Sequence, residues 1–539
     1  MPAREKWWDD VIKSDLANYY QSPAKAIDDD GTDEVPSGSK GRFIWGDRVR
    51  ILDTNGDAKR VSGRGKEYWI NTRHLGGEPL LEVYIIDVGQ GDGVLVVTPE
   101  GHNIMVDGGN TRSYQNSGKN AADFVDWKFY KDYLSFDQRD NEVKIQLDAM
   151  IATHNDIDHF GGLMDLINLD DPKNKAELDC SQVSVESVYH AGLSWWFKRW
   201  DGNSAIRTLG PIENGHYTKL IDDRQSALQA IQNLANPDTD TLNGAWGRFI
   251  KAVTELKKNN GDPTEVSRLS NKTHDFLPGF ELNGDKCSIR VLGPIETETS
   301  NKPSLKRFPD GDSKNTNGHS VLVRLDYGDR RILLTGDLNT HSQNHIMETY
   351  SAGNSFIEEF KSDVAKGCHH GSHDVSYKFL KGLNPLCTVI SSGDAESHDH
   401  PRPNIVSASA ITGRFLEEND RLVSPLVYMT EVARSVKISN IGSMKEYSES
   451  QPEFHSEDRA TKVHDTAEEK SKYRLFLGSS QSSPLHRPRL DKVKAVKGLR
   501  YGLINVRTDG KRLYFAQMEE SGKDWAIATL SEEQINRAE

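Results

Sequence analysis

The side chains with the most chemistry in this sequence are gathered in Met150-Ile-Ala-Thr-His154-Asn-Asp156-Ile-Asp158-His159-Phe-Gly-Gly162. A hydrolytic metal centre needs imidazole and carboxylate donors on a short, sharply turning segment fixed by a strand beneath it. His154 and Asp156 are spaced to share one ion, and Asp158 and His159 can turn toward a second ion beside it. Two adjacent ions would hold a bridging water, the nucleophile of metal-assisted hydrolysis. The plainer alternative is a polar surface loop in which Gly161-Gly162 opens a helix. Further histidines and aspartates at later strand ends weigh against it.

Several elements must position this loop. Apolar Met150 to Ala152 end a buried strand, and upstream Leu81 to Ile86 and Gly93 to Val97 read as β runs around the turn Asp87-Val-Gly-Gln-Gly-Asp92. Another strand, Asn103 to Val106, ends in Asp107-Gly108-Gly109. Glycine permits tight turns and close backbone approach there. Asp87, Asp92 and Asp107 open onto a common edge, as ligands or, the better fit, as acceptors that orient the ligands. Downstream, strand-like runs lead to Asn317-Gly-His319-Ser320, to Thr335-Gly336-Asp337, to Cys368-His369-His370-Gly371-Ser372, and to His400-Pro401-Arg402.

In this order the motifs resemble the metallo-β-lactamase superfamily, and within it the hydrolase domain of the ComEC competence proteins and their soluble relatives. The superfamily loop His-x-His-x-Asp-His appears here with Asp156 at the second histidine, as is common in the ComEC-like branch. A carboxylate in place of an imidazole makes that site harder and widens the choice of metal from zinc toward manganese, with magnesium also admitted. The resemblance implies an α/β fold, the αββα sandwich, and two divalent ions. The first would take His154, Asp156, His319 and the bridging Asp337; the second Asp158, His159, Asp337 and His400. It places His369 and His370 close by, one as a ligand or proton donor and the other as support. Asp158 would also hold the attacking water, and Ser372 and Arg402 would hold substrate oxygens.

The chain has 539 residues, so roughly three to four domains are expected from length alone, fewer where an α/β unit runs long. Residues 1–40 suggest a short amphipathic helix and a polar connector; 41–75, with Trp45, Tyr68, Trp69 and glycine turns, resemble a small SH3-like β-barrel. The hydrolase domain is expected over 80–440, with a polar, helical insertion at 170–285 that carries Trp195, Trp196 and Phe197. A charged linker over 441–475 and a C-terminal β extension over 476–539 follow, the latter containing a basic run from Arg487 to Arg512.

A formal net charge of -14 does not suit a protein that binds nucleic acid over its whole surface. With 27% charged residues and a mean hydropathy of -0.66, no stretch reaches the about 20 apolar residues that span a bilayer. Cys180, Cys287, Cys368 and Cys387 are scattered, and the first residues lack the basic-then-apolar order of a secretory signal. A cytoplasmic protein with reduced thiols and no membrane contact is expected. The resemblance implies a metal-dependent phosphodiesterase acting on DNA, and an alternative expectation is DNA received through a protein partner docked on the SH3-like or C-terminal segment. Competing expectations are a small-molecule hydrolase of the lactone, thioester or β-lactam type, and a metal-binding scaffold with a degenerate site.

Overall fold

The computed structural model describes residues 6–431 and 502–538, except 32–35, 116, 140–141, 200–204, 233–240, 243, 354, 394–399 and 519–524. Between 432 and 501 it describes only the strand segments 435–436, 441–446, 460–462, 473–477 and 493–494.

Two sheets face each other at the centre. The first has nine strands, in the order Glu265–Arg268, Gln182–His190, Lys144–Ala152, Asn103–Gly108, Gly93–Val97, Leu81–Ile85, Ile504–Thr508, Leu513–Met518 and Trp525–Leu530. Its first four strands run parallel and the others pair antiparallel. The second has six strands, Ser288–Gly293, Leu322–Tyr327, Arg330–Leu334, Val364–Lys366, Cys387–Ile390 and Leu426–Met429.

Alternation along each strand sends its side chains to two different cores. Val83, Val94, Val106 and Ile151 meet Val323, Ile332, Val364 and Val389 between the sheets. Leu95, Met105 and Met150 point the other way, toward Val125, Leu163 and Phe249 of the helices Ala121–Trp127, Ile157–Ile167 and Gly244–Glu255. Leu322, Leu333 and Ala365 pack on Ile346, Phe360 and Phe379 of Thr340–Ser351, Phe356–Phe360 and Tyr377–Leu383. Strands with apolar side chains on both faces must be covered on both, which yields the αββα layering.

The edges of this plan differ from the sequence expectation. Residues 10–20 form strands, not a helix: Asp10–Val11 and Leu16–Tyr20 join Ser39–Ile44, Arg48–Asn55, Ala58–Gly63 and Lys66–Asn71 in a six-stranded antiparallel sheet, and the helix is the short Pro23–Ile27. The edge strands Asp10–Val11 and Ser39–Ile44 are not paired with each other among the described residues, so the expected barrel is an antiparallel sheet over a core of Ile12, Phe43, Val49, Val61 and Ile70. The stretch 170–285 is not all insertion, because Gln182–His190 and Glu265–Arg268 extend the first sheet.

At the other end of the chain, Ile504–Thr508 pairs with Leu81–Ile85 and so completes the first sheet. Of the expected linker, 441–446, 460–462 and 473–477 form a small antiparallel sheet, and the rest lies outside the described residues, as does most of the basic run. Three described members of that run are engaged within the chain: Arg507 with Asp47, Arg512 with Asp15 and Lys511 with Glu532. No helix among the described residues is long and apolar enough to cross a membrane. All four cysteines are buried and free.

Candidate metal centre

The chemistry-bearing side chains collect where strands of both sheets end. Beyond Lys144–Ala152 the chain passes through His154 and Asp156 into helix Ile157–Ile167, which carries Asp158 and His159 in its first turn. This helix sits backbone-on-backbone against the Asp107 turn. A Cβ on Gly162 would overlap the Gly108 carbonyl, and Gly162 N donates to Gly109 O at 2.8 Å. Close approach therefore explains Gly161-Gly162. Asp156 occupies the N-cap, yet its carboxylate makes no capping hydrogen bond and so is available to the site.

From the second sheet come Asp337, after Arg330–Leu334, and His369 and His370, after Val364–Lys366. Both histidines adopt left-handed backbone, φ 47° and 53°, which costs about 1–2 kcal/mol per residue. The consequence is that adjacent rings diverge, their planes 72° apart and centroids 6.0 Å apart. His370 goes inward and is fully buried; His369 stays at the rim.

Hydrogen bonds assign a tautomer to each inner imidazole. His159 Nδ1 donates to Asp107 Oδ2 at 2.8 Å, and His370 Nδ1 donates to Ser391 O at 3.2 Å, with the Asp92 carboxylate 3.3 Å away. His154 Nδ1 faces the hydroxyls of Thr153 (3.1 Å) and Ser320 (3.3 Å). Those hydroxyls already donate to Asp107 Oδ2 and Asn317 O, so the ring must be the donor. All three rings thus turn Nε2, with its lone pair, toward the centre.

There His159 Nε2 and His370 Nε2 lie 3.2 Å apart, and 3.2 and 3.0 Å from Asp337 Oδ2. His154 Nε2 is buried without a hydrogen-bond partner, 3.9 Å from Asp156 Oδ2. Asp158 Oδ2 lies 3.8 Å from His370 Nε2. Lone pairs that converge without donors between them suit a cation, so the residues fit a metal centre. His154, His159 and Asp337 form one group with ligand atoms within 4.8 Å of each other, and Asp158, His159 and His370 another.

The field of the site is strongly structured. Burial opposes charge on His370, but Asp337 and Asp92 outweigh it and lift the ring to about 9; Asp337 and Asp107 likewise hold His159 well above the usual range. A proton or a metal cation answers the same field. Burial and then the neighbouring Asp158 push the Asp156 carboxyl up to about 7. Burial, then His159, pushes His154 well down.

Other expected residues sit differently. His319 is not among the converging groups: its Nε2 donates to Lys306 O at 2.9 Å and its ring stacks on Phe308 at 4.8 Å, while burial lowers it to about 3. Asn317 stands in its place. Its amide satisfies both neighbours with nitrogen 2.9 Å from Asp156 Oδ2 and oxygen 3.2 Å from His369 Nε2. His400 packs beside His369, ring centroids 5.9 Å apart, and the imidazole that converges on Asp337 and Asp158 is His370.

Asp107 and Asp92 brace the inner rings. Asp107 accepts from Thr153 N (2.8 Å) and Oγ1 (2.6 Å), and Asp92 pairs with the buried Lys366 ammonium. Asp87 is exposed and accepts from Gly89 N. The Ser372 hydroxyl accepts from Asp374 N, and Arg402 N donates to Gly371 O.

Lys366 escaped the sequence reading. It also donates to Gly336 O at 2.9 Å and lies 3.8 Å from Asp337 Oδ1. Its signal was a lysine closing the otherwise apolar Val364-Ala365 run, since a buried lysine requires a carboxylate partner.

Residues 86–177 match the family model described as the metallo-beta-lactamase superfamily. The chain is 23% identical over 334 residues to the ComE operon protein 3 of Bacillus subtilis (strain 168), covering 60% of this chain and 30% of that protein. It is 36% identical over 86 residues to the competence protein ComA of Neisseria gonorrhoeae, covering 16% of this chain and 12% of that protein. The chain thus spans less than a third of the length of these curated relatives. Among solved structures, Tm1679, a metal-dependent hydrolase of the beta-lactamase superfamily, aligns at 10% identity and TM-score 0.28, covering 66% of this chain and 96% of that one. A mutant of the CmlA beta-hydroxylase aligns at 10% identity and TM-score 0.26, covering 63% and 51%. With its two facing sheets and its His/Asp cluster at the strand ends, the chain is similar to the metallo-β-lactamase superfamily, the match lying over residues 86–177, and distantly similar to ComE operon protein 3 and ComA.

Proposed function

We propose that this protein is a metal-dependent phosphodiester hydrolase acting on DNA. The observation that carries the hydrolytic part is the convergence of His154, His159 and His370 Nε2 with Asp337, above which Asp156, Asp158 and His369 form a partly open rim. The similarity to two competence proteins favours DNA as the substrate.

Rim and floor divide the work. Side-chain exposure is 28% for Asp156, 26% for Asp158 and 20% for His369, against 3% or less for the inner ligands, so substrate meets the rim. Divalent ions held by His154, Asp156, Asp158, His159, Asp337 and His370, zinc or manganese by the donor set, would supply Lewis acidity at neutral pH. Asp158 Oδ2 accepts the proton of the attacking water. His369 carries a proton on Nε2, directed at Asn317, and can pass it to the leaving oxygen. Asp107 and the Ser391 carbonyl keep His159 and His370 in the tautomer that points Nε2 inward.

The test is incubation with single- and double-stranded DNA, RNA and bis(4-nitrophenyl) phosphate in Mn²⁺, Zn²⁺ or Mg²⁺, beside Asp158→Ala and His159→Ala. Cleavage that both substitutions abolish is expected. Cleavage surviving both would refute the site, and turnover of lactones or β-lactams without phosphodiester cleavage would refute the substrate class. A role as effector subunit in a larger assembly extends this reading. It fails if the purified protein is monodisperse and fully active on DNA alone.

A further inference from the structure

Beside the rim lies a cleft of about 370 Å³, bounded on one side by Asp156 and Asp158 and on the other by Trp195, Phe197, Arg207 and Trp246. The far wall comes from the stretch between sheet strands Gln182–His190 and Glu265–Arg268. In its hairpin, Phe197 and Arg207 are directly opposed across the antiparallel pair Trp196–Arg199 and Ala205–Thr208, so they share one face. The Arg207 guanidinium lies 3.5 Å from the centroid of the Trp195 ring.

The indole N–H of Trp195, 7% exposed, finds no acceptor among the described residues. Trp246 differs: its N–H donates to Ser194 Oγ at 3.1 Å, and its ring meets Phe160 edge-on from helix Gly244–Glu255. One indole N–H is therefore satisfied by the protein, while the other is buried without an acceptor among the described residues.

We infer that this cleft is the subsite for the base of the nucleotide flanking the scissile phosphate; the inference rests on the phosphodiester reading above. Arg207 lines the cleft opposite Asp156 and Asp158, where a guanidinium can meet the phosphate of a nucleotide whose base lies in the cleft. Aromatic walls accept any base through its π-face, and an arginine adds cation–π attraction. The volume is at the small end of the about 300–1,000 Å³ of ligand pockets, room for one nucleotide rather than a longer strand. A base in this cleft must be unpaired, so the substrate is single-stranded at the cut.

The experiment compares thymidine 5′-monophosphate with deoxyribose 5-phosphate by equilibrium binding to the metal-loaded full chain, alone and with Phe197→Ala, Phe197→Tyr and Arg207→Gln. The nucleotide should bind about tenfold tighter than the base-free phosphate. Phe197→Ala should collapse that gap, Phe197→Tyr should retain it, and Arg207→Gln should weaken both ligands. Equal affinities in the parent protein, or a gap unchanged in Phe197→Ala, overturn the subsite. A gap with no phosphodiester cleavage supports the subsite and refutes only the reaction; cleavage without a gap refutes only the subsite.

Discussion

Among the described residues, two clusters of buried charge, one around Arg507 and one at the metal centre, are built on opposite principles. Around Arg507, 1% exposed on its side chain, guanidinium nitrogen lies 2.7 Å from Asp47 and 3.3 Å from Glu82; Arg48 adds a 3.5 Å contact to Glu82 and Arg64 a 3.4 Å contact to Asp47. Nearby, Lys128 pairs with Asp132 at 2.5 Å and donates to Tyr84 Oη at 2.9 Å. Every carboxylate there faces a cation, and the nitrogens left over, such as Arg507 Nε, are donors. At the metal centre the atoms left over include His154 Nε2 and Asp337 Oδ1, which carry lone pairs. Surplus donors are a cost of packing, whereas converging surplus acceptors call for a cation from outside.

The contrast breaks most sharply at Asp337. Asp337→Asn should bring activity to background and strip bound metal, measured by turnover and by metal analysis of the purified protein. Arg507→Met should do the reverse. Removing one partner of a buried ion cluster costs about 3–5 kcal/mol, read by denaturant unfolding, while metal per folded molecule stays unchanged.

The pH dependence of that cluster has a definite sign. Burial would raise Asp47 and Glu82, but Arg64 and Arg507 outweigh it at Asp47, and Arg507 with Lys128 at Glu82, so both carboxyls lie below their usual range. Their contribution is full above the unfolded-state values near about 4 and is lost as pH falls through the lower folded-state values. Acid unfolding of Arg507→Met should therefore be less steep in pH than that of the parent protein.

Asp107→Ala removes no metal ligand, only the acceptor that sets the His159 tautomer, and should cost about 10–100-fold in metal affinity or activity. The smallest effect is expected at His319. His319→Phe loses one hydrogen bond to Lys306 O, worth about 1 kcal/mol, and leaves metal content intact. A loss of metal there would return His319 to the centre.

How much of this was legible in the sequence depended on the range of the determining contact. The segment His154 to His159 announces itself because its donors share one turn, and Asp337 because it ends an apolar strand. Choosing among His369, His370 and His400 needed backbone information, the left-handed φ at residues 369 and 370, which no spacing encodes for non-glycine residues. His319 misled because the Phe308 ring and the Lys306 carbonyl that claim it belong to a different run of the chain. The N-terminal strands stayed hidden for the same reason: Leu16–Tyr20 pairs with Ser39–Ile44 and, at Tyr20, with Trp69, none of which is local.

The place of Ile504–Thr508 between Leu81–Ile85 and the outer hairpin has a consequence for biogenesis. Leu81–Ile85 emerges from the ribosome long before its neighbour does, and until then its main-chain edge is a template for any other extended segment. A polypeptide interrupted before residue 504 keeps the metal ligands but leaves that edge open and Glu82 without Arg507. Truncated products of this kind should be found in aggregates.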